Sequence, residues 1–200
     1  MKHTFKLTYE LDTTVGCAVA AYLDCEHYKF LHSKYSPEWE VLDTRGLSIQ
    51  VRQTWVHSGR RVAQIYWCEY KPPATFLNYE MKSDPWWMPG VHHIMKTRTR
   101  LEYTPVADGQ RTKSELTVEL DMPIWLYPAR HLIEKKLCQL KREKDDEDME
   151  MIKRREKIFG RGNIKSYLAD HQFMLYKDQF VKHFGPAAEG KPIAAPAPAG

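Results

Sequence analysis

The chain opens on a strict alternation. Across residues 3–11, Phe5, Leu7, Tyr9 and Leu11 fall on one side, with polar residues between most of them. Side chains of a strand point alternately to its two faces, so this period predicts a half-buried strand. The period then lengthens. Thr13 and Thr14 offer N-cap hydroxyls, and Val15, Val19 and Tyr22 or Leu23 follow at helical spacing. A second helical piece is expected from about Asp24 to Tyr35, closed off by Pro37.

Strand patterns follow. A short one surrounds Trp39 and Val41, and Gly46 turns the chain into Leu47, Ile49 and Val51. Ser58-Gly59 marks a hairpin before residues 62–70. Pro72-Pro73 interrupts the pattern, which resumes over 75–81. Asp84-Pro85 begins a loop that carries Trp86, Trp87 and Met88 and ends at Pro89-Gly90. Two longer strands are expected near 92–103 and 112–121, joined at Asp108-Gly109. Beyond Met122-Pro123 the helical period returns over roughly 124–158. There Ile133, Leu137, Leu140, Met151, Ile152 and Phe159 form one apolar stripe, stopped by Gly160 and Gly162. A last helix is expected over 164–184, with Leu168, Phe173, Leu175, Tyr176 and Phe180. The Pro/Ala/Gly-rich tail, 185–200, is expected to be disordered.

This order predicts an α+β domain over 1–184. A curved antiparallel sheet wraps a long C-terminal helix, and two short helices plug one end. Such an arrangement leaves a cavity between sheet and helix.

Composition narrows the partners. Six Trp, eleven Tyr and seven Phe suit a large core and, equally, an apolar cavity for a hydrophobic or aromatic small molecule. The net charge of +4 is spread, and residues 141–157 mix both signs. That is a solvated helix face, which argues against nucleic acid or an anionic membrane as partner. Cysteines 17, 25, 68 and 138 make no C-x-x-C pair, so neither a zinc ribbon nor a thioredoxin-like motif is present. The N-terminus lacks an apolar signal segment and no stretch approaches membrane-spanning length, so a cytoplasmic location is expected.

One constellation carries chemistry. Asp24, His27 and His32 read D-x-x-H-x-x-x-x-H. Imidazoles ligate iron, zinc and copper. Residues five apart lie about 140° apart around a regular helix, so the helix must end or bulge between His27 and His32 if both rings are to meet one ion. Asp24, three before His27, is placed to hydrogen-bond its ring through the carboxylate. A third ligand is expected from Asp145-Asp146-Glu147-Asp148. Helical phase puts Asp148 on the stripe of Leu137, Met151 and Ile152, Asp146 toward water, and Asp145 and Glu147 on the flanks. Lys144 and Arg155 share the stripe and are available to pair with the acid. Two His and one carboxylate make a facial triad of the kind found in non-heme Fe(II) oxygenases, and zinc fits the same donors.

D-x-x-H-x-x-x-x-H, followed more than a hundred residues later by Glu147-Asp148 and MEMIKRR, resembles the catalytic domain of Rieske non-heme iron oxygenases. That domain is a member of the START-like, or SRPBCC, superfamily with its helix-grip fold, and the resemblance covers about residues 1–160. It implies iron on His27, His32 and Asp148, and a bridging role for Asp24 in electron transfer from a neighbouring subunit. It also implies a homo- or hetero-oligomer such as a trimer. The chain departs from the family in one respect: it has no C-x-x-H, so it carries no Rieske cluster ligands. Electrons are therefore expected from a separate Rieske or ferredoxin-type partner. Two alternatives stay open: a non-catalytic START-like carrier of a hydrophobic ligand, and a subunit of a larger oxygenase.

The remaining candidates stay bland. Adjacent His92 and His93 point to opposite strand faces and cannot readily chelate together. His57 sits beside a turn, and His3, His131, His171 and His183 gain no partner from the sequence. Trp86, Trp87 and Met88 are a cavity lid, a sheet-edge contact or a subunit contact.

Overall fold

The alternation at the N-terminus does form a strand, β1 (Lys2–Leu11), in which Phe5, Leu7 and Leu11 are buried and the residues between them exposed or partly so. The computed structural model describes residues 1–34, 36–57, 60–84, 94–106, 108–169 and 172–185, apart from the side chains of Lys29, His57 and Arg60. Ser58-Gly59, the loop with Trp86, Trp87 and Met88, His92, His93, His171 and the tail beyond Gly185 lie outside them.

After β1 come two helices, α1 (Val15–Leu23) and α2 (Glu26–Phe30). Six strands follow: β2 (Glu38–Arg45), β3 (Ser48–His57), β4 (Arg60–Lys71), β5 (Thr75–Asp84), β6 (Lys96–Val106) and β7 (Arg111–Asp121). A 3-10 turn (Tyr127–Ala129) leads into the long helix α3 (Arg130–Phe159), and α4 (Lys165–Leu168) and α5 (Lys177–Phe184) complete the described chain. The strands form one antiparallel sheet in the order β1-β7-β6-β5-β4-β3-β2. Chain order is kept except for β1, which closes the far edge by pairing with β7 from Lys2 opposite Asp121 to Leu11 opposite Thr112.

The sheet curves, and irregularities in the ladders mark where. Register shifts fall between Val41 and Asp43 in β2 and between Ile65 and Trp67 in β4. Such bulges bend the strand that holds them. β5 stays paired with β4 up to Asp84, but among the described residues it pairs with β6 over four positions, Thr75 to Asn78. Beyond them Glu80 takes a left-handed φ of 53°.

Two helices fill the concave face. Thr14 caps α1, its hydroxyl accepting from the Cys17 N–H at 3.4 Å. Small side chains let α1 sink in: Val15, Ala18, Val19, Ala20 and Leu23 are all buried. α3 lies along the groove. Its first half sets Ile133, Leu137 and Cys138 against Phe5, Val118 and Leu120, and its second half sets Met149, Met151 and Ile152 against the α1 cluster.

The expected stripe on α3 needs correction. Leu140 is 40% exposed and Phe159 is 49% exposed, while the buried positions are Asp145 and Ile152. The face turned inward runs through these two, seven residues apart, and charged groups occupy part of it. The single last helix is also two short ones. Leu175 donates its N–H to Leu23 O at 3.0 Å, and Tyr176 has a φ of 52°. Both residues pack against Ile49, Val51 and Tyr66, a position no continuous helix from 164 would reach. No helix among the described residues is long and apolar enough to cross a membrane.

Candidate metal site

α2 is only five residues long and ends at Phe30, between the two histidines. The Leu31 N–H still bonds to His27 O at 2.7 Å, and the chain then turns away, so the divergence expected of a regular helix does not develop. The His27 and His32 rings meet edge to face, with centroids 5.2 Å apart and planes at 78°. Both are buried.

Asp148 reaches them from α3. Its Oδ1 is 3.0 Å from His32 Nε2 and 3.5 Å from His27 Nε2. The three donor atoms lie within 4.8 Å of one another. Asp148 is on the edge of the inward face, with 29% of its side chain exposed. Its neighbour Asp146 is exposed.

Proton accounting defines the chemistry. His27 Nδ1 makes a short contact with the backbone carbonyl of Asp24, which can only accept, so the proton sits on Nδ1 and Nε2 presents a lone pair. His32 Nδ1 is 2.9 Å from Glu147 Oε2, and a carboxylate there fixes the same tautomer. Both Nε2 atoms then face Asp148 Oδ1. At His27 a lone pair meets the carboxylate with no proton between them, and neither His27 Nε2 nor Asp148 Oδ1 makes a well-directed hydrogen bond, though both atoms are buried. Buried polar atoms in native structures nearly always have partners. A second proton on His27 is a poor remedy, because burial, only partly offset by Asp148, pushes its pKa down to about 4. Burial pushes Asp148 up, but His32, His27 and Lys141 outweigh it and hold the carboxyl below its ordinary value. The three donor atoms are placed so that they could hold one metal ion.

Asp24 acts differently from the sequence expectation. Its backbone carbonyl, and not its carboxylate, holds the His27 ring. The carboxylate, 1% exposed, takes a 3.0 Å bond from Arg155 Nη2 instead. Asp24 ends α1, and the short step into α2 brings its carbonyl over the ring while the side chain points to α3. The Arg155 guanidinium also lies 4.3 Å over Tyr167. Arg155 therefore belongs to Asp24. Lys144 sits 4.2 Å over Trp55 and 5.6 Å over Tyr28, burial lowering its pKa to about 8.

Two residues that sequence phase placed on the flanks sit in or beside the site. Glu147 orients His32. Asp145 is buried and paired with Lys141, whose Nζ also lies 3.4 Å from the Tyr9 hydroxyl. The sequence signal for both was the acidic run itself, in a helix whose inward face is short of apolar residues.

Cavities flank the cluster. One, beside Asp148, is lined by Ala18, Tyr22, Tyr103, Asp145 and Met149. Another is walled by aromatic rings, among them Tyr22, Tyr28, Trp39, Tyr66, Phe76 and Tyr176. Tyr22 belongs to both walls. Tyr28 stacks on Trp39 and packs against both histidines, which places it between the aromatic cavity and the donor cluster. The Tyr176 hydroxyl is buried and has no hydrogen-bond partner among the described residues.

No protein-family model matches the chain, and no curated protein matches it in sequence. Solved structures do match in fold. The Zhui aromatase/cyclase from Streptomyces sp. R1128 is 11% identical, with a TM-score of 0.60 over 78% of this chain and 96% of its own. A START superfamily protein from Mycobacterium smegmatis is 14% identical, with a TM-score of 0.56 over 74% and 99%. Dicamba monooxygenase, bound to dicamba, is 12% identical, with a TM-score of 0.55 over 90% of this chain and 56% of its own. The fold is the START-like helix-grip fold.

Proposed function

We propose that this chain is a mononuclear non-heme iron protein of oxygenase type, with His27, His32 and Asp148 holding Fe(II). The observation that carries the reading is the convergence of two imidazoles and a carboxylate, their donor atoms within 4.8 Å of one another, with the buried His27 Nε2 lone pair turned toward Asp148 Oδ1. Two imidazoles and a carboxylate suit ferrous iron, and zinc fits the same donors. When bound, ferrous iron in such a triad supplies open positions for activating dioxygen toward hydroxylation, dealkylation or ring oxidation.

The chain's own residues do the rest. The Asp24 carbonyl and Glu147 keep the two rings oriented. Arg155 neutralises the buried Asp24 carboxylate beneath them. The aromatic cavity, about 30 Å³ as it stands, would take an apolar, ring-containing substrate by parting its walls, which then offer stacking surfaces and the Tyr176 hydroxyl as one polar contact. Tyr28 forms the wall between substrate and ligands. Reducing equivalents would come from a Rieske or ferredoxin-type centre, whose C-x-x-H ligands these 200 residues do not hold. The fold shared with a dicamba monooxygenase is compatible with this chemistry and does not by itself argue for it.

Anaerobic loading with ferrous iron followed by elemental analysis tests the proposal. One iron per chain that disappears in Asp148→Ala supports it, and wild-type protein that stays iron-free after loading overturns it. The second reading is a carrier of hydrophobic ligands. It draws on the aromatic cavity alone and treats His32, between Glu147 and Asp148, as a proton-bridged polar group. A copurifying ligand whose retention ignores Asp148, in metal-free protein, selects that reading. It leaves the His27 Nε2 lone pair without a partner, which is why the metal reading stands first.

A further inference from the structure

We infer that His3, His131 and Glu134 form a second metal site, for a zinc-type divalent ion, where β1 meets the first turn of α3. The sequence gives these residues no common motif, since His3 is on the first strand and the other two follow the last. The fold brings them together. Glu134 Oε2 lies 3.0 Å from His3 Nε2 and 3.4 Å from His131 Nδ1. All three donor atoms lie within 4.8 Å of one another. Donors around a tetrahedral zinc ion at bond lengths of about 2.0–2.1 Å are roughly 3.3 Å apart, so the carboxylate-to-imidazole spacings already suit such an ion.

The local structure accounts for the convergence. His131 and Glu134, three apart on α3, share a helix face. His3 alternates with Phe5 on the inward side of β1, and its ring packs against Phe5 at 5.7 Å. The two imidazoles meet nearly at right angles, 88°, with centroids 5.5 Å apart, so both reach one carboxylate oxygen without stacking. Both imidazoles turn a ring nitrogen toward the same carboxylate oxygen, an arrangement that a shared ion would complete. Exposure is graded: 11% for the His3 side chain, 32% for Glu134 and 68% for His131. The ion would be anchored at its buried end and open to water at its outer end. Two imidazoles and a carboxylate suit zinc, nickel or copper(II).

The site would pin the leading end of α3 to the sheet edge. Asp148 lies fourteen residues further along the same helix, about 21 Å at 1.5 Å per residue, so the two sites are separate. This second site does not depend on the iron proposal.

Equilibrium dialysis of the full chain against zinc chloride, with zinc counted by elemental analysis, tests it in wild type, His131→Ala, Asp148→Ala and the double variant. The expected counts are two zinc ions per chain, one, one and none. Zinc should also raise the melting temperature of Asp148→Ala, and this shift should vanish in the double variant. His131 is exposed, so its removal leaves the fold in place. Equal zinc binding by wild type and His131→Ala would overturn the inference and leave a hydrogen-bonded cluster. Loss of one ion in His131→Ala but none in Asp148→Ala would sustain it while removing the triad as a zinc site.

Discussion

Glu147 Oε2 stands 2.9 Å from His32 Nδ1, so the carboxylate one position before Asp148 fixes the tautomer of the ring that faces Asp148. Consecutive residues of one helix thereby address the two nitrogens of one imidazole. Removing such an orienting partner typically costs 10–100-fold in metal affinity. Glu147→Ala should weaken iron binding by about that factor, and Glu147→Gln, whose amide oxygen still accepts from Nδ1–H, should recover most of it. A competition titration with a chelator reads both.

Asp148→Asn should separate metal binding from stability. In metal-free protein the carboxylate faces the His27 Nε2 lone pair 3.5 Å away, whereas an amide can donate to that nitrogen. The variant should lose iron yet unfold at a higher temperature than metal-free wild type. A gained hydrogen bond is worth roughly 1 kcal/mol, or about 2–4 °C in a chain of this size. Calorimetry of both proteins in chelator decides it, and a lower melting temperature for the variant would count against the lone-pair account.

The Lys141–Asp145 pair gives a pH test. Burial, partly offset by Asp148, lowers the Lys141 pKa to about 7. The unfolded chain keeps its lysine protonated up to the ordinary value near 10.5. Between these values the unfolded state binds more protons, so stability should rise with pH from about 7 toward 10. Urea unfolding across that range checks the sign, and Lys141→Met should reduce the slope to the part contributed by Lys144, whose pKa burial lowers to about 8. Removing one member of a buried pair commonly costs about 3–5 kcal/mol, whereas replacing both by apolar residues is close to neutral. Lys141→Met combined with Asp145→Leu should therefore be more stable than either single variant.

Val51, buried on β3, lines the aromatic cavity away from the metal ligands. Val51→Phe should fill it, cutting affinity for ring compounds about tenfold or more while iron content stays unchanged. Overpacking of this kind costs about 1–3 kcal/mol, which the domain should survive. Quenching of Trp39 fluorescence, in the same wall, reports the binding.

Much of this was legible in the sequence, and the failures share a cause. The alternation of Phe5, Leu7 and Leu11 and the succession of six strands after α2 came through because burial enforces the period of each element. His27 and His32 were legible as a motif, whereas phase put Asp148 on the inward stripe and Asp145 on its flank, and the fold buries Asp145 and leaves Asp148 at the edge. What stayed hidden depends on distant partners. Asp24 gives its carboxylate to Arg155, on a helix 131 residues away in sequence. Asp145 is buried only because Lys141 and Tyr9 meet it there. Leu140 and Phe159 have the right period and remain exposed, since the groove over them is not covered. His3 finds Glu134, 131 residues away in sequence.

The parting of β5 from β6 has a mechanical meaning. Four residue pairs, Thr75 to Asn78 against Thr99 to Glu102, are the seam between a block of β2 to β5 and a block of β6, β7 and β1. Each block is laced along most of its length, so the sheet resembles two stiff plates joined by a short hinge pin. The aromatic cavity rests mainly on the first plate, and β1, with the first half of α3 against it, belongs to the second. A small rotation about the seam would move the first half of α3 relative to the cavity wall while leaving every other ladder intact.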